Sequence, residues 1–355
     1  MALFKRTFVD AYTGHNVGDD LFLKILFERY PNNSFLLCGD KGYKKKLESY
    51  KNVYVVSRTP FFLYNKICWL LKWYALGAEN IIASLCENAI EIGGSLFIEP
   101  SVPVLCYGAY KKLPYVIMGA NFGPYKSESY LERCHDFIKK AKKVCFREQK
   151  SYETFKGLKN TSVAPDIAFN LKMSHVKSDK QLFVSVMDFS ICNTKNAMYQ
   201  CAYEKFLLDM ANHYLKKGWK IVLCSFCEQE GDEKVVQRLY HELQMDENIE
   251  CIFYKDDLQE IITSIQKSEK IIATRFHSMI IGLNAGNKVY PICYSNKTKN
   301  VLEDLGLSDY ILEIQKLGEI KIEQIEACQL SQETLAQIRV QAEKQFEGVE
   351  KCLMC

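Results

Sequence analysis

The chain has 355 residues, of which 48% are hydrophobic and 25% are charged. With about 150 residues for an ordinary domain, this length predicts two domains, and the composition excludes a disulfide-stapled miniprotein, a disordered chain, collagen and a coiled coil. The net charge of +3 conceals an asymmetry, because residues 1 to 175 carry 25 Lys and Arg against 16 Asp and Glu, whereas residues 176 to 355 carry 21 against 27.

Short apolar runs alternate with segments of helical period along the chain. Apolar strands separated by helices indicate parallel sheets that are covered on both faces. We predict strands at 4–10, 34–38, 53–56, 89–92, 115–118, 143–146 and 161–164, with helices at 19–29 and 130–141. After the polar stretch 172–180 we predict strands at 182–187, 219–225, 249–253, 270–273 and 288–291, with helices at 197–217, 232–243, 258–267 and 278–285.

The restart of the pattern predicts a domain boundary near residue 175. The expected fold class is α/β, with domains at 1–174 and 175–310 and a helical arm at 311–355. Two such domains in tandem face each other across a cleft, and parallel sheets bind ligands at the carboxyl ends of their strands. Candidate site residues should therefore follow the predicted strands.

The segment 60–78 departs from this pattern, because it is dense in Phe, Trp, Tyr and Leu. Lys66 and Lys72 interrupt it, so it is a poor transmembrane span. One interpretation is a buried or interdomain helix. The other is a helix that lies on a membrane surface, with its rings at headgroup depth and its lysines facing anionic lipid.

The fifteen cysteines are scattered, mostly in apolar runs, and the chain opens without a cleavable apolar signal. This pattern predicts a reducing cytoplasm. Two C-x-x-C pairs, Cys224/Cys227 and Cys352/Cys355, have the spacing of zinc ligands. One pair ends a predicted strand and the other lies on the last residues, which often fray, so we predict no metal site.

Three glycine-containing loops follow predicted strands of the first domain. They are Gly14 to Asp20, Gly93-Gly94-Ser95, and Gly119 to Pro124, which includes Asn121. Backbone N–H groups in such loops approach anions closely, and three of them at one edge predict a rim that binds a ligand. In the first loop, Asp19 or Asp20 is expected to cap the following helix. The loops lack a G-x-G-x-x-G fingerprint and a Walker lysine.

Two basic motifs also follow predicted strands. Arg147, in Phe146-Arg147-Glu148, is either half of an ion pair with Glu148 or a neighbour, or a ligand clamp. The stronger motif is Arg275-Phe276-His277, followed by Lys297, where a strand leads into a helix. Arginine forks bind phosphate and carboxylate, and imidazole transfers protons near neutral pH. The alternative is a histidine that only packs or caps at a helix start.

Together these residues resemble a known family. Gly14-x-Asn16-x-Gly18-Asp19, Gly93-Gly94, Gly123-Pro124, Arg147-Glu148, Pro165-Asp166 and Arg275-Phe276-His277 with Lys297 are similar, in order and spacing, to the polysaccharide pyruvyltransferases over residues 3–305. Family members often carry a third glycine where this chain has Ser95. The resemblance implies a GT-B-like fold of two Rossmann-type domains. It implies transfer of the enolpyruvyl moiety of phosphoenolpyruvate onto two sugar hydroxyls, which forms a pyruvate ketal in a capsule or exopolysaccharide, or in its lipid-linked precursor, and releases phosphate.

The resemblance also assigns roles by position. It implies that Arg147, His277 and Lys297 bind the donor, that Arg275 adds a phosphate or carboxylate contact, and that His277 and Arg275 are the catalytic residues. His277 is the best general acid, because imidazolium titrates near the working pH. The residues implied on the acceptor side or in its loops are Asn16, Gly18, Asp19, Gly93, Gly94, Asn121 and Asp166. The base is left open among Asp19, Asp166 and His15, in that order.

The expected partners are phosphoenolpyruvate, as a co-substrate without a further cofactor, and a sugar acceptor that carries a lipid diphosphate in one version. The expected location is cytoplasmic, with a membrane-face version that uses residues 60–78. The alternative enzyme is a nucleotide-sugar-dependent glycosyltransferase on the same fold, and a non-catalytic binding module is a further option. Nucleic acid is not an expected partner, since the basic run 139–143 has no recognition motif beside it.

Overall fold

The computed structural model describes residues 6–71, 73, 77–100, 113–174, 176 and 178–353. The predictions made for residues 4, 5, 72, 74–76, 175, 354 and 355, which include Cys355, lie outside the described residues. The expected α/β class is confirmed, because two parallel sheets with helices between their strands make up the chain.

The first sheet has seven parallel strands in the order β3-β2-β1-β4-β5-β6-β7. Its central strands are buried at every position, as β4 and β5 show, because helices cover both faces. The strands are β1 Thr7–Ala11, β2 Phe35–Gly39, β3 Val53–Ser57, β4 Asn88–Ile92, β5 Tyr115–Ala120, β6 Lys143–Phe146 and β7 Thr161–Val163. The helices along this part of the chain are α1 Val17–Arg29, α2 Lys41–Lys46, α3 Phe62–Leu70, α4 Ala78–Ser84, α5 Glu128–Lys140 and α6 Gln149–Phe155.

The second sheet has six parallel strands in the order β10-β9-β8-β11-β12-β13. The strands are β8 Asp179–Ser185, β9 Lys220–Ser225, β10 Ile249–Phe253, β11 Ser268–Ala273, β12 Lys288–Cys293 and β13 Leu312–Glu313. The remaining helices are α7 Phe189–Cys192, α8 Gln200–Leu215, α9 Asp232–Glu242, α10 Leu258–Lys267, α11 Phe276–Ala285, α12 Asn296–Asp304, α13 Gln332–Ala342 and α14 Glu347–Leu353. The expected helical character of the C-terminal region is therefore present.

The chain contacts divide the protein into two compact units. The first unit contains Met1–Thr13, Phe22–Ile167 and Val340–Cys355, and the second contains Gly14–Leu21 and Ala168–Arg339. Residues of the predicted arm thus belong partly to the second unit and, from Val340 onward, to the first. The physical reason is apolar burial, since Phe346 and Val349 are fully buried.

The aromatic segment forms an exposed helix over its described residues. In α3, Phe62 is 71% exposed, Leu63 68% and Leu70 63%, and the following Trp73 is 55% exposed. Cys68 is the buried position of α3 among the described side chains, so the interpretation of this segment as a buried helix is wrong for those residues. Among the described residues, no helix is long and apolar enough to span a membrane.

The pair Cys224/Cys227 has the C-x-x-C spacing of zinc ligands. Cys224 and Cys227 lie at the carboxyl end of β9, and both side chains are buried. Burial raises the pKa of the Cys224 thiol well above its ordinary value. Within the described part of the chain, no group of three or more His, Cys, Asp or Glu side chains is arranged to hold a metal ion.

Candidate functional site

A buried cluster around Arg147 forms at the carboxyl ends of β5, β6 and β7. The Nη1 of Arg147 donates to Oδ2 of Asp166 at 3.1 Å, and its Nη2 donates to Oδ1 of Asn121 at 2.7 Å. All three side chains are at most 3% exposed. Because the strands are parallel neighbours, their ends bring these three predicted site residues together.

Arg147 therefore forms an ion pair with Asp166, a neighbour in the fold. The Glu148 carboxylate accepts from Oγ of Ser151 at 2.5 Å, and the same Oγ accepts from the backbone N–H of Phe122 at 2.7 Å. Glu148 thus fixes the loop after β5. Burial and the pairing of its Oδ2 with Arg147 argue against Asp166 as the base for a sugar hydroxyl.

The second glycine loop lies against the same cluster. The carbonyl of Gly94 accepts from the backbone N–H of Asn121 at 2.7 Å. A Cβ atom placed on Gly94 would lie 2.5 Å from Nη1 of Arg147, so the guanidinium packs on the glycine backbone. Gly93 is buried, and its N–H donates to the carbonyl of Met118.

Gln345 also belongs to this cluster, although no motif or periodicity in the sequence points to it. Its side chain is 1% exposed, and its Nε2 donates to the carbonyls of Ala164 at 2.9 Å, Pro165 at 3.1 Å and Phe146 at 3.3 Å. Its Oε1 accepts from the N–H of Gly119 at 2.9 Å. The C-terminal segment therefore braces the strand ends that carry Arg147 and Asp166.

In the second unit, the segment Gly14–Leu21 contains a short loop and the first turn of helix α1. Oδ1 of Asn16 accepts from the N–H of Gly18 at 2.9 Å, so Asn16 caps the helix and the expected cap at Asp19 or Asp20 is wrong. Asp20 instead accepts from the Tyr254 hydroxyl at 2.6 Å. The half-buried Asp19 lies in the first turn of α1.

The rest of this loop is held by the segment after β9. The N–H of Val17 donates to the carbonyl of Phe226 at 3.2 Å, and Asn16 forms a β-bridge with Cys227. His15 adopts a positive φ of 52°, and its Nδ1 lies 3.6 Å from Oδ1 of Asp256.

His277 lies in the first turn of α11, where β11 leads into the helix. The half-buried imidazole packs against Gly18, since a Cβ on that glycine would lie 2.7 Å from Cγ of His277. Ser185 fixes the turn, because its Oγ accepts from the N–H of Thr274 at 3.1 Å and the N–H of Arg275 at 3.2 Å. Ser185 also shares a hydrogen bond of 2.6 Å with Oγ of Ser278.

Arg275 is placed differently from the expectation. Its Nε donates to Oδ2 of Asp232 at 2.9 Å, its Nη2 pairs with Oδ1 of Asp232, and its Nη1 pairs with Glu230. The Arg275 side chain is 8% exposed and that of Asp232 is 0% exposed. Burial raises the pKa of Asp232, and Arg275 opposes that shift. These contacts argue against Arg275 as a phosphate contact or catalytic residue, because acidic side chains already surround its guanidinium.

Asp232 also binds the backbone of the segment after β9. Its Oδ2 accepts from the N–H groups of Phe226 at 2.9 Å and Cys227 at 3.1 Å. These are the residues that hold Asn16 and Val17, so the Arg275–Asp232 pair supports the loop that contacts His277.

Lys297 lies in the first turn of α12 and is half-buried. Its Nζ is 5.9 Å from the ring centroid of Tyr294, within the range of a cation–π contact. The Tyr294 carbonyl accepts from Nδ2 of Asn196 at 3.0 Å, which anchors the segment after β12.

Comparison with known proteins identifies the family. The model of the polysaccharide pyruvyl transferase family matches residues 16–296. The chain belongs to this family. The match contains Arg147, Asp166 and His277, and it ends one residue before Lys297.

One protein of similar sequence and two solved structures of similar fold can be compared with this member of the pyruvyl transferase family. The amylovoran biosynthesis protein AmsJ of Erwinia amylovora is 23% identical over an alignment 259 residues long, and the match covers 65% of this chain and 62% of AmsJ. HepE of Anabaena, solved with UDP and glucose, has a TM-score of 0.52 at 13% identity and 98% coverage of both chains. The UDP-GlcNAc 2-epimerase of Neisseria meningitidis, solved with UDP-GlcNAc, has a TM-score of 0.57 at 10% identity, with 98% of this chain and 100% of the epimerase covered. The expected GT-B-like architecture is confirmed at the level of the fold.

Proposed function

We propose that this member of the family transfers the enolpyruvyl moiety of phosphoenolpyruvate to two hydroxyls of a sugar in a surface polysaccharide. The observation that carries the proposal is the family match over residues 16–296. AmsJ, by its name a protein of amylovoran biosynthesis, supports the polysaccharide context.

The proposed reaction needs an acid and cations. Protonation of the methylene carbon of phosphoenolpyruvate gives an oxocarbenium-like centre, which one sugar hydroxyl attacks while it loses its proton to a base. The second hydroxyl then bonds to the same carbon as the bond from that carbon to the phosphate oxygen breaks, and its proton leaves with the phosphate. An acid in this role contributes typically about 10² to 10⁴ in rate.

We assign the acid to His277 and charge stabilisation to Lys297 and Arg147. His277 follows a turn at the carboxyl end of β11 that the Ser185 hydroxyl fixes by hydrogen bonding. Lys297 follows the neighbouring strand β12. Arg147 is oriented by Asn121 and Asp166, and a guanidinium suits a carboxylate or phosphate. Among the base candidates, Asp19 remains first, because Asp166 is buried on Arg147.

The test is a reaction of the purified protein with phosphoenolpyruvate and galactose- or N-acetylhexosamine-type acceptors. We expect phosphate release and, by mass spectrometry, an acceptor that gains the pyruvate ketal and its carboxylate. His277→Ala should lower turnover by at least about 100-fold, whereas His135→Ala, a change in helix α5 outside the proposed site, should not. Equal turnover of the His277→Ala variant would refute the assigned acid.

The glycosyltransferase alternative is separated by ligand-induced thermal stabilisation. Phosphoenolpyruvate should raise the melting temperature, and a panel of nucleotide sugars should not. Stabilisation by a nucleotide sugar alone would overturn the pyruvyltransferase proposal. Stabilisation by phosphoenolpyruvate without product in any acceptor reaction would favour the binding module.

We also propose that the exposed face of α3 lies on an anionic membrane surface. Phe62, Leu63, Leu70 and Trp73 are each more than half exposed, and the exposed Lys66 lies among them. Apolar and aromatic side chains with lysines between them suit the headgroup region. The excess of basic residues in the first half of the chain adds charge complementarity to anionic lipid.

Sedimentation with vesicles tests this contact. Binding to phosphatidylglycerol vesicles should exceed binding to phosphatidylcholine vesicles and should weaken with salt. The double variant Phe62→Ser/Leu63→Ser should bind at least about tenfold less, because each buried side chain of this size contributes about 1.5–3 kcal/mol. Met198→Ser, a change at an exposed residue of the second unit, is the control. Vesicle binding that is unchanged in the double variant would overturn the membrane contact. If light scattering then shows a dimer for the unaltered protein and a monomer for the double variant, the face binds a second copy of the chain.

A further inference from the structure

Gly18 occupies a position that the backbone does not reserve for glycine. It lies in the first turn of α1, and its φ is outside the left-handed region where glycine is favoured. In a helical conformation alanine is more stable than glycine by roughly 0.5–1 kcal/mol. Space, rather than backbone conformation, therefore explains the glycine.

The space at Gly18 is filled by the imidazole of His277. A Cβ at residue 18 would lie 2.7 Å from Cγ of the ring and closer still to Nδ1 and Cε1. No real Cβ tolerates such distances, so any side chain here must move the ring. The ring thus rests directly on the backbone of α1.

Gly94 stands in the same relation to Arg147. A Cβ at residue 94 would lie 2.5 Å from Nη1 and 2.7 Å from both Cζ and Nη2 of the guanidinium. Its φ is also outside the left-handed region. The other crowded glycines differ, since Gly119, Gly231 and Gly282 meet isoleucine side chains, and Gly39 and Gly348 meet the Cβ atoms of Tyr43 and Lys143.

We propose that Gly18 and Gly94 are positioning residues, which hold the His277 imidazole and the Arg147 guanidinium at the places where these groups act on the donor. The acid role of His277 and the donor-binding role of Arg147 rest on the proposed function. The packing of His277 on Gly18 and of Arg147 on Gly94 is independent of it. Gly18 then acts through His277 rather than by lining the acceptor, and Gly94 acts through Arg147.

The two substitutions predict different kinetic defects. Gly18→Ala displaces the acid and should lower kcat by about 100-fold, the typical loss for a misplacement of about 1 Å. It should also shift the limb of the pH–kcat profile that His277→Ala removes. Gly94→Ala displaces a donor-binding guanidinium and should raise KM for phosphoenolpyruvate by about tenfold, with a smaller change in kcat. Gly157→Ala is the matched control, because no neighbouring atom lies within 4 Å of its Cβ position.

Double variants decide whether each glycine acts through its partner. In the His277→Ala background the ring is gone, so Gly18→Ala should cause no further loss of turnover and no further loss of melting temperature. The same holds for Gly94→Ala in the Arg147→Ala background. A further, independent loss of turnover in either double variant would overturn the positioning role and favour direct contact with the acceptor.

A readout without turnover separates this inference from the proposed function. In the full-length protein with labelled histidine, the Cε1–H resonance of His277, assigned by its absence in His277→Ala, should move in Gly18→Ala and stay in place in Gly157→Ala. An unmoved resonance would overturn the inference even in an active enzyme. A moved resonance in a protein that releases no phosphate from phosphoenolpyruvate would uphold the packing and reject the proposed function.

Discussion

At the scale of single residues, Arg275 shows how burial separates a structural role from a binding role. Its guanidinium pairs with Asp232 and Glu230, and Asp232 in turn holds the N–H groups of Phe226 and Cys227. Removing one member of a buried pair leaves the other charge without compensation, at a cost of about 3–5 kcal/mol. We therefore expect Arg275→Met to lower the free energy of unfolding by about that amount in urea denaturation.

Two further variants complete this test. Arg275→Met combined with Asp232→Asn should recover part of the lost stability, because the charge of Asp232 is then removed while the amide oxygen still accepts from the N–H groups of Phe226 and Cys227. Lys220→Met, at an ion pair with Glu250 in which both side chains are exposed, should cost no more than about 1 kcal/mol. If Arg275→Met kept full stability and lost only the stabilisation by phosphoenolpyruvate, Arg275 would be the donor contact that the resemblance implied.

Asp166 allows a second prediction at the same scale. Its carboxylate orients Arg147 and is fully buried, so we expect Asp166→Asn to act through the guanidinium. The expected result is a rise in KM for phosphoenolpyruvate of about tenfold, with the acidic limb of the pH–kcat profile unchanged. Loss of the acidic limb in Asp166→Asn would instead identify Asp166 as the base.

At the scale of elements, the C-terminal segment completes the ends of strands that lie far from it in sequence. The Gln345 side chain satisfies three carbonyls and one N–H at the ends of β5, β6 and β7. Each buried group left without a partner costs about 1–3 kcal/mol, so Gln345→Leu should lower the free energy of unfolding by at least about 3 kcal/mol. Gln329→Leu, at an exposed position with one hydrogen bond, should stay within about 0.5 kcal/mol. Equal stability of the two variants would contradict the bracing role.

The helices and strands also show which elements a sequence pattern predicts and which it does not. Strands such as β6 and β10 match their predicted limits, because each is a short run rich in β-branched and aromatic residues, which favour strands. Short elements such as α2, α6 and β13 were not predicted, since six, seven or two residues carry too little periodicity and are stabilised by tertiary packing.

The candidate site follows the same division. Asn121 and Arg147 follow predicted strands, the resemblance adds Asp166, and the parallel sheet brings the three residues together. Their partners were not predictable in the same way. Asp232 pairs with a residue 43 positions away, and Gln345 reaches Phe146 across 199 positions. Contacts of this kind leave no periodic signal in the chain.

At the scale of the whole molecule, neither unit is one continuous segment of the chain. The first unit contains Val340–Cys355, and its contacts include Nδ2 of Asn88 donating to the Cys352 carbonyl at 2.8 Å and an ion pair of Arg29 with Glu343 at 2.6 Å. A cut at the boundary predicted near residue 175 removes all of these contacts from the first unit. It also removes the Gln345 side chain from the buried N–H of Gly119 and from the carbonyls of Ala164 and Pro165.

We therefore expect the fragment 1–174 to lack cooperative thermal unfolding by circular dichroism, because each buried polar group without a partner costs free energy and the apolar surface under Phe346 and Val349 is exposed. Joining residues 340–355 to this fragment through a flexible Gly/Ser linker should restore a cooperative transition, and the same joined fragment with Gln345→Leu should melt at a lower temperature. A cooperative transition of fragment 1–174 alone, at the temperature of the joined fragment, would show that the returning segment adds nothing to the first unit. The exact length of the linker matters little in this test, because the free energy of loop closure changes only slowly with linker length.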